Sequence, residues 1–327
     1  MRAAMVAAEV GDDVFGEDPT VIRLQARVAE LLGKESALFV PSGTMSNAIG
    51  VMLHCRPGDE ILCEAGCHIV QYEQGGYARL AGAAAHAIEG RYGVLQPEQF
   101  VGLIRPDNPH LPRTRLVTLE NTHNRGGGTI QPYGTIEAIC AWAHEHGLRT
   151  HLDGARLLNA VVATRVEAAR WAQHFDTVGI CFSKGLGAPV GSAIAGPREL
   201  IDEARRIRKV LGGGMRQAGV LAAAALYALD HHVSRLAEDH ANARRMADGI
   251  RRIGRLALEP EQVDTNILFF HVDPALGSAA EFAARLKDRG LLVSPFSATK
   301  IRAVTHLDVS AQDVDRALEI LSETAVP

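Results

Sequence analysis

Between Ala37 and Gly196 short apolar runs alternate with helical stretches, and this alternation constrains the fold more than any other feature of the chain. Runs at Ala37–Val40, Asp59–Cys63, Arg115–Leu119, Arg149–Asp153, Val178–Phe182 and Val190–Ala195 read as strands. Between them, Met45–His54, a stretch through Tyr72 to Leu80, Pro97–Ile104 and Thr135–His146 read as helices. Strands that alternate with helices predict an α/β fold, a mostly parallel sheet covered on both faces. Such sheets bind ligands beyond the carboxyl ends of their strands.

Those ends carry the polar residues. The run Val178–Phe182 leads into Ser183-Lys184, with Gly185 and Gly187 breaking the pattern, and Arg149–Asp153 ends in an acid followed by Gly154-Ala155-Arg156. An amine and a carboxylate delivered by separate strand ends suit pyridoxal 5'-phosphate: the lysine condenses with the aldehyde, and the acid pairs with the pyridine nitrogen. After Val40, Pro41-Ser42-Gly43-Thr44 opens a helix, an arrangement that serves equally as an ordinary cap or as a phosphate cradle of free N–H groups. His68 follows another strand end, at a position that suits a ring lying flat on a cofactor. Polar residues crowd again in Glu120-Asn121-Thr122-His123-Asn124-Arg125, beside three glycines.

Length and charge exclude several classes. With 327 residues and 47% hydrophobic content the chain can bury a large core, and its net charge of −4, with both signs interspersed, argues for neither nucleic acid nor membrane partners. No apolar run approaches the ~20 residues of a membrane span. Five irregularly spaced cysteines speak against a disulfide framework and for a reduced, cytoplasmic setting. Cys63, Cys67 and His68 lack the second ligand pair of a zinc site, so no metal is expected.

Asp18-Pro19-Thr20 starts a helix that Gly33 ends. A basic helix, Pro197–Leu211, precedes Gly212-Gly213-Gly214 and an alanine-rich helix from Gln217. From Ser234 the pattern changes to long helices with short strands at Leu256–Leu258, Thr265–His271, Leu291–Ser294 and Ile301–Thr305. Residues 1–233 are thus expected to form a large domain and 234–327 a smaller α+β one.

In ENTHN (Glu120–Asn124), HLDGAR (His151–Arg156), SKGLGAPVGS (Ser183–Ser192) and GGGMRQAG (Gly212–Gly219), within a match from VGDDVFGEDPT to VTHLDVS, the chain resembles the low-specificity L-threonine aldolases. These are fold type I, aspartate-aminotransferase-like pyridoxal phosphate enzymes. The resemblance implies retro-aldol cleavage of L-threonine or L-allo-threonine to glycine and acetaldehyde, with a β-eliminating lyase as the competing reading and a non-catalytic cofactor-binding protein as a remoter one. It makes Lys184 the Schiff-base lysine and Asp153 the pyridinium partner. Ser42, Gly43 and Thr44 would bind phosphate, His68 would stack on the ring, and His123 would lie beside the β-hydroxyl. Arg156 and Arg302 would hold the substrate carboxylate, while Lys209 and Arg216 would reach the phosphate across a subunit boundary in a homotetramer built as a dimer of dimers. The family usually has an Arg-Ser-Asp-Thr segment ahead of GDDVFGEDPT that this sequence lacks. Either a start internal to the reading frame or looser substrate binding is expected from that.

Overall fold

The computed structural model describes residues 1–326. Its main sheet has seven strands: β1 (Ser36–Val40), β2 (Asp59–Glu64), β3 (Ala84–Ile88), β4 (Arg113–Glu120), β5 (Arg149–Gly154), β6 (Thr177–Cys181) and β7 (Ser192–Gly196). They lie in the order β1-β7-β6-β5-β4-β2-β3. β3, β2, β4, β5 and β6 pair in parallel, and β7 runs antiparallel to both β6 and β1. The mostly parallel sheet expected from the alternation is therefore present.

Both faces are covered, and the two-residue period of a strand shows how. Along β1, Ala37 and Phe39 pack with Val21, Leu24, Trp171 and Phe182 on one face. Leu38 and Val40 pack with Ile49, Ile201 and Ile207 on the other. The first of these faces is sealed by the helix Pro19–Leu32. Asp18 caps it by accepting the N–H groups of Thr20 and Val21, and Gly33, at φ 60°, ends it. Both features follow the sequence expectation.

A second sheet has the order β10-β11-β9-β8, all antiparallel: β8 (Leu256–Leu258), β9 (Ile267–Val272), β10 (Ser294–Pro295) and β11 (Lys300–Val304). It packs on Phe282, Leu286, Val314, Ile320 and Leu321. In the helix Leu236–Ile250, Leu236 belongs to the first core, whereas Ala243, Met246 and Ile250 belong to the second.

Several elements depart from expectation for identifiable reasons. The stretch through Tyr72 to Leu80 is two short helices, His68–Gln71 and Gly76–Arg79, because Gln74 and Gly75 both take positive φ (53° and 65°). Pro97–Ile104 shrinks to a 3₁₀ turn, Pro97–Phe100, after which Val101 is extended and Gly102 has φ 79°. Strand β3 was not anticipated; Ala-Ala-His-Ala-Ile is poor in β-branched residues, and it is held as an edge by pairing with β2. Of Leu291–Ser294, only Ser294 joins the sheet.

The helix Gly43–His54 crosses close over β5 at Gly50, where a Cβ would come within 2.5 Å of the buried His151 ring. Both nitrogens of that ring are hydrogen-bonded, to Thr177 and Asn47, so it has nowhere to move. Gly50→Val should therefore overpack this contact and lower stability by about 1–3 kcal/mol, measured by urea unfolding.

Candidate active site

Three neighbouring parallel strands end in a buried acid: Glu64 on β2, Glu120 on β4 and, near the end of β5, Asp153. Each acid binds backbone N–H groups of the loops beyond the strands. Glu64 accepts from Gly66 at 2.6 Å and Gly90 at 3.3 Å. Glu120 accepts from His68 at 2.6 Å and Asn124 at 2.7 Å. Asp153 accepts from Ala155 at 3.1 Å. Buried carboxylates make strong bonds to N–H groups, so the acids fix the shape of the loops that follow.

Asp153 is 4% exposed and lies opposite Gly179 of β6, the strand that leads to Lys184. Burial alone would push its carboxyl up, but the Lys184 ammonium, the Asn47 amide, His68 and the Ala155 N–H together hold it below the usual carboxylate range. Lys184 is half-buried in the turn between β6 and β7, where its carbonyl accepts the Gly187 N–H at 2.9 Å. The sequence-predicted amine and acid are thus brought together.

His68 opens the helix His68–Gln71, its Nδ1 2.8 Å from Glu73 Oε1. That hydrogen bond raises the imidazole above its ordinary value, with burial opposing it; Asp153 adds to the rise and Lys184 subtracts from it. Asn47, in the helix Gly43–His54, gives Nδ2 to Glu73 Oε1 at 2.8 Å and to Asp153 Oδ2 at 2.9 Å. His68, Glu73 and Asp153 therefore offer ligand-type atoms within 4.8 Å of one another, already engaged in mutual hydrogen bonds. The helix begins one turn before Asn47, about 5.4 Å along its axis. There Ser42 Oγ accepts the Met45 N–H at 3.2 Å, and the N–H groups of Gly43 and Thr44 lie in the unbonded first turn, where the dipole favours an anion.

Two arginines converge at the other side. Arg156 Nη1 lies 3.4 Å and Arg302 Nη2 2.9 Å from the single oxygen Asn124 Oδ1, with no carboxylate paired to either among the described residues. Burial and the like charge of Arg156 lower Arg302 to about 10, and burial lowers Arg156. Two desolvated guanidiniums sharing one neutral acceptor are short of negative charge, which a carboxylate could supply.

His123 is 2% exposed, its ring seated against Gly93, where a Cβ would overlap it. Nδ1 accepts the Gly126 N–H at 3.0 Å, which puts the ring proton on Nε2. Nε2 lies 2.8 Å from Glu64 Oε2, off the line of a good hydrogen bond, and 3.9 Å from Glu120 Oε2. Burial lowers the imidazole, but the two acids outweigh it and leave it raised.

Lys209 and Arg216 neighbour a different acid. Both are exposed and gather round Asp12, which Arg216 contacts at 2.5 Å. Sequence reasoning does not single out Asn47, Glu64 or Glu73; nothing marks Asn47, inside a helix, or Glu73, in a loop, whereas Glu64 ends β2, a strand-end position that could have found it. Asn124 and Glu120 were noticed only as part of a polar run.

An amine beside a charged buried acid, a histidine above them and an anion-binding helix start fit pyridoxal phosphate at both ends of the molecule. At the carboxyl edge of a mostly parallel seven-stranded sheet, with a smaller second sheet, they define a fold type I pyridoxal phosphate enzyme. The beta-eliminating lyase family model matches residues 1–273. A low-specificity L-threonine aldolase 1 of Arabidopsis thaliana is 40% identical over 99% of this chain and 92% of its own. The low specificity L-threonine aldolase of Escherichia coli K12 is 43% identical over 96% of this chain and 92% of its own. The chain belongs to the beta-eliminating lyase family, among its low-specificity L-threonine aldolases. A Leishmania major threonine aldolase structure shares the fold, at TM-score 0.83 and 22% identity, over 98% of this chain and 93% of that one.

Glu120 carries the loop geometry, since it holds two part-buried N–H groups, those of His68 and Asn124. Glu120→Ala should cost about 2–6 kcal/mol in urea unfolding, one to three for each N–H left without a partner, while Glu120→Gln, which keeps an acceptor, should cost less.

Proposed function

We propose that this protein cleaves L-threonine, L-allo-threonine and related β-hydroxy-α-amino acids to glycine and an aldehyde, and that the residues described above carry the reaction. The observation that supports it most directly is the buried Asp153, kept charged beside Lys184. Pyridoxal phosphate, when bound, supplies an aldehyde for the amino group and a protonated ring that draws electrons from Cα.

Lys184 supplies the amine that anchors the cofactor. Asp153, already aligned by Asn47, would pair with the ring nitrogen, and His68 would cover the ring. Ser42, Gly43 and Thr44 hold the phosphate at the helix start. Arg156 and Arg302, which converge on Asn124 Oδ1, would grip the substrate carboxylate and so orient the substrate. Cleavage of threonine breaks Cα–Cβ, removes the β-hydroxyl proton and returns a proton to Cα. The hydroxyl proton would pass through a water to the Glu64 carboxylate, with His123 Nε2–H beside it as the positioning group, since the one lone pair of neutral His123, on Nδ1, is taken by the Gly126 N–H.

No helix among the described residues is long and apolar enough to cross a membrane. Five unpaired cysteines suit the reducing cytoplasm. Lys209 and Arg216, exposed and gathered at Asp12, suit a homotetramer in which each reaches the phosphate of a neighbouring subunit.

An aldehyde assay on the cofactor-loaded protein with threonine tests the reading; pyruvate from serine or cysteine as the dominant product would overturn it. In that assay Lys184→Ala should lose about 10³-fold or more of the activity with the fold intact by circular dichroism. Arg302→Ala should raise KM for threonine about 10- to 100-fold, the scale of one lost charged hydrogen bond.

A further inference from the structure

We propose that Asn47 and Glu73 are positioning residues of this site: Asn47 directs one amide N–H to each of two buried carboxylates and so aligns Asp153, while Glu73 holds His68 Nδ1 and so orients its ring. The assignment rests on the reading of Asp153 and His68 as cofactor contacts, and it concerns residues that touch neither cofactor nor substrate.

The first argument is that Asn47 has only one usable orientation. Its Nδ2 meets Glu73 Oε1 at 2.8 Å and Asp153 Oδ2 at 2.9 Å, and its Oδ1 lies 3.3 Å from His151 Nε2. An amide oxygen only accepts, so His151 carries its proton on Nε2. Its Nδ1, 2.9 Å from Thr177 Oγ1, then accepts the threonine hydroxyl, and that oxygen accepts from His54 Nε2, also at 2.9 Å. Burial keeps both rings neutral, with His54 lowered to about 3 and His151 to about 4. Every N–H and O–H from His54 to Asn47 thus points toward the carboxylates. Turning the Asn47 amide over would set its NH₂ against the His151 N–H and its oxygen against two acids.

The second argument is the placement of Glu73. It is 7% exposed and its Oε1 takes hydrogen bonds from both Asn47 and His68, so the histidine that covers the ring and the acid beneath it share one frame. The parts come from the helix Gly43–His54, the loop before Gly76, and strands β5 and β6. The charged groups that face His68 are Glu73, Asp153 and Lys184; Glu120 takes its backbone N–H. Since the hydrogen bond to Glu73 is the main cause that raises His68, with burial pulling the other way, removing the charge of residue 73 should drop the imidazole. The stabilisation from this pair is present below the ordinary imidazole value and is lost as pH rises through the raised one.

The test follows His68 by NMR titration in the full-length protein, with and without pyridoxal phosphate, the signal being assigned with His68→Gln. In the wild type the midpoint should lie above about 6.5. In Glu73→Gln, which keeps the hydrogen-bonding shape, it should fall below that of the wild type. Asn47→Ala, and Asn47→Asp as a variant of the same shape that adds a third carboxylate, should each weaken pyridoxal phosphate binding about 10-fold or more by spectral titration. An unmoved His68 midpoint in Glu73→Gln, or unchanged cofactor affinity in both Asn47 variants, overturns the assignment. If the wild type binds no pyridoxal phosphate, the functional reading falls instead, and the His68 titration without cofactor still decides the role of Glu73.

Discussion

The site depends on a carboxylate that must remain ionised where water hardly reaches it. Burying a charge is costly unless it is paired and hydrogen-bonded, and for Asp153 burial is the largest single influence. The compensation arrives from outside β5: an ammonium from the turn after β6, an amide from the helix Gly43–His54, and a backbone N–H two residues along. Take any of these elements away from the sheet and burial meets less opposition, so the carboxyl's value rises. The packing of helix on sheet is therefore a condition of the site's electrostatics as well as of stability.

The same device recurs along the sheet. Glu64, Glu120 and Asp153 stand at the ends of β2, β4 and β5, which are neighbours in the order β5-β4-β2. Each is buried, and each turns its oxygens to N–H groups of the loops beyond. Glu120 ties the segment starting at His68 to the one starting at Asn124, and so sets His68 and the Asn124–Arg302 corner relative to each other. Loops rich in glycine become well-defined walls because a strand-borne charge holds their backbone.

How much of this was legible in the sequence differs by element. The parallel sheet followed from alternation, and the Asp18 cap and Gly33 stop followed from local chemistry that needs no tertiary partner. β3 did not, because an alanine-rich edge strand exists only through its pairing with β2. Lys184, Asp153, His68, Arg156 and Arg302 could be named from strand-end positions and from family motifs. Asn47 could not: an asparagine within a helix carries no mark of function, and its meaning comes from Glu73 and Asp153, which approach it from a distant loop and a strand.

The order of residues by itself determined the strand-and-helix rhythm, the polar groups stationed at strand ends and the family to which the chain belongs, because each is a matter of local spacing and of short words in sequence. Only the tertiary structure decided which charges meet. Whether Asp153 stays ionised, why two arginines face one asparagine oxygen, and which way the Asn47 amide points all depend on groups far apart in the chain and a few ångströms apart in space, where electrostatic and hydrogen-bond energies are set.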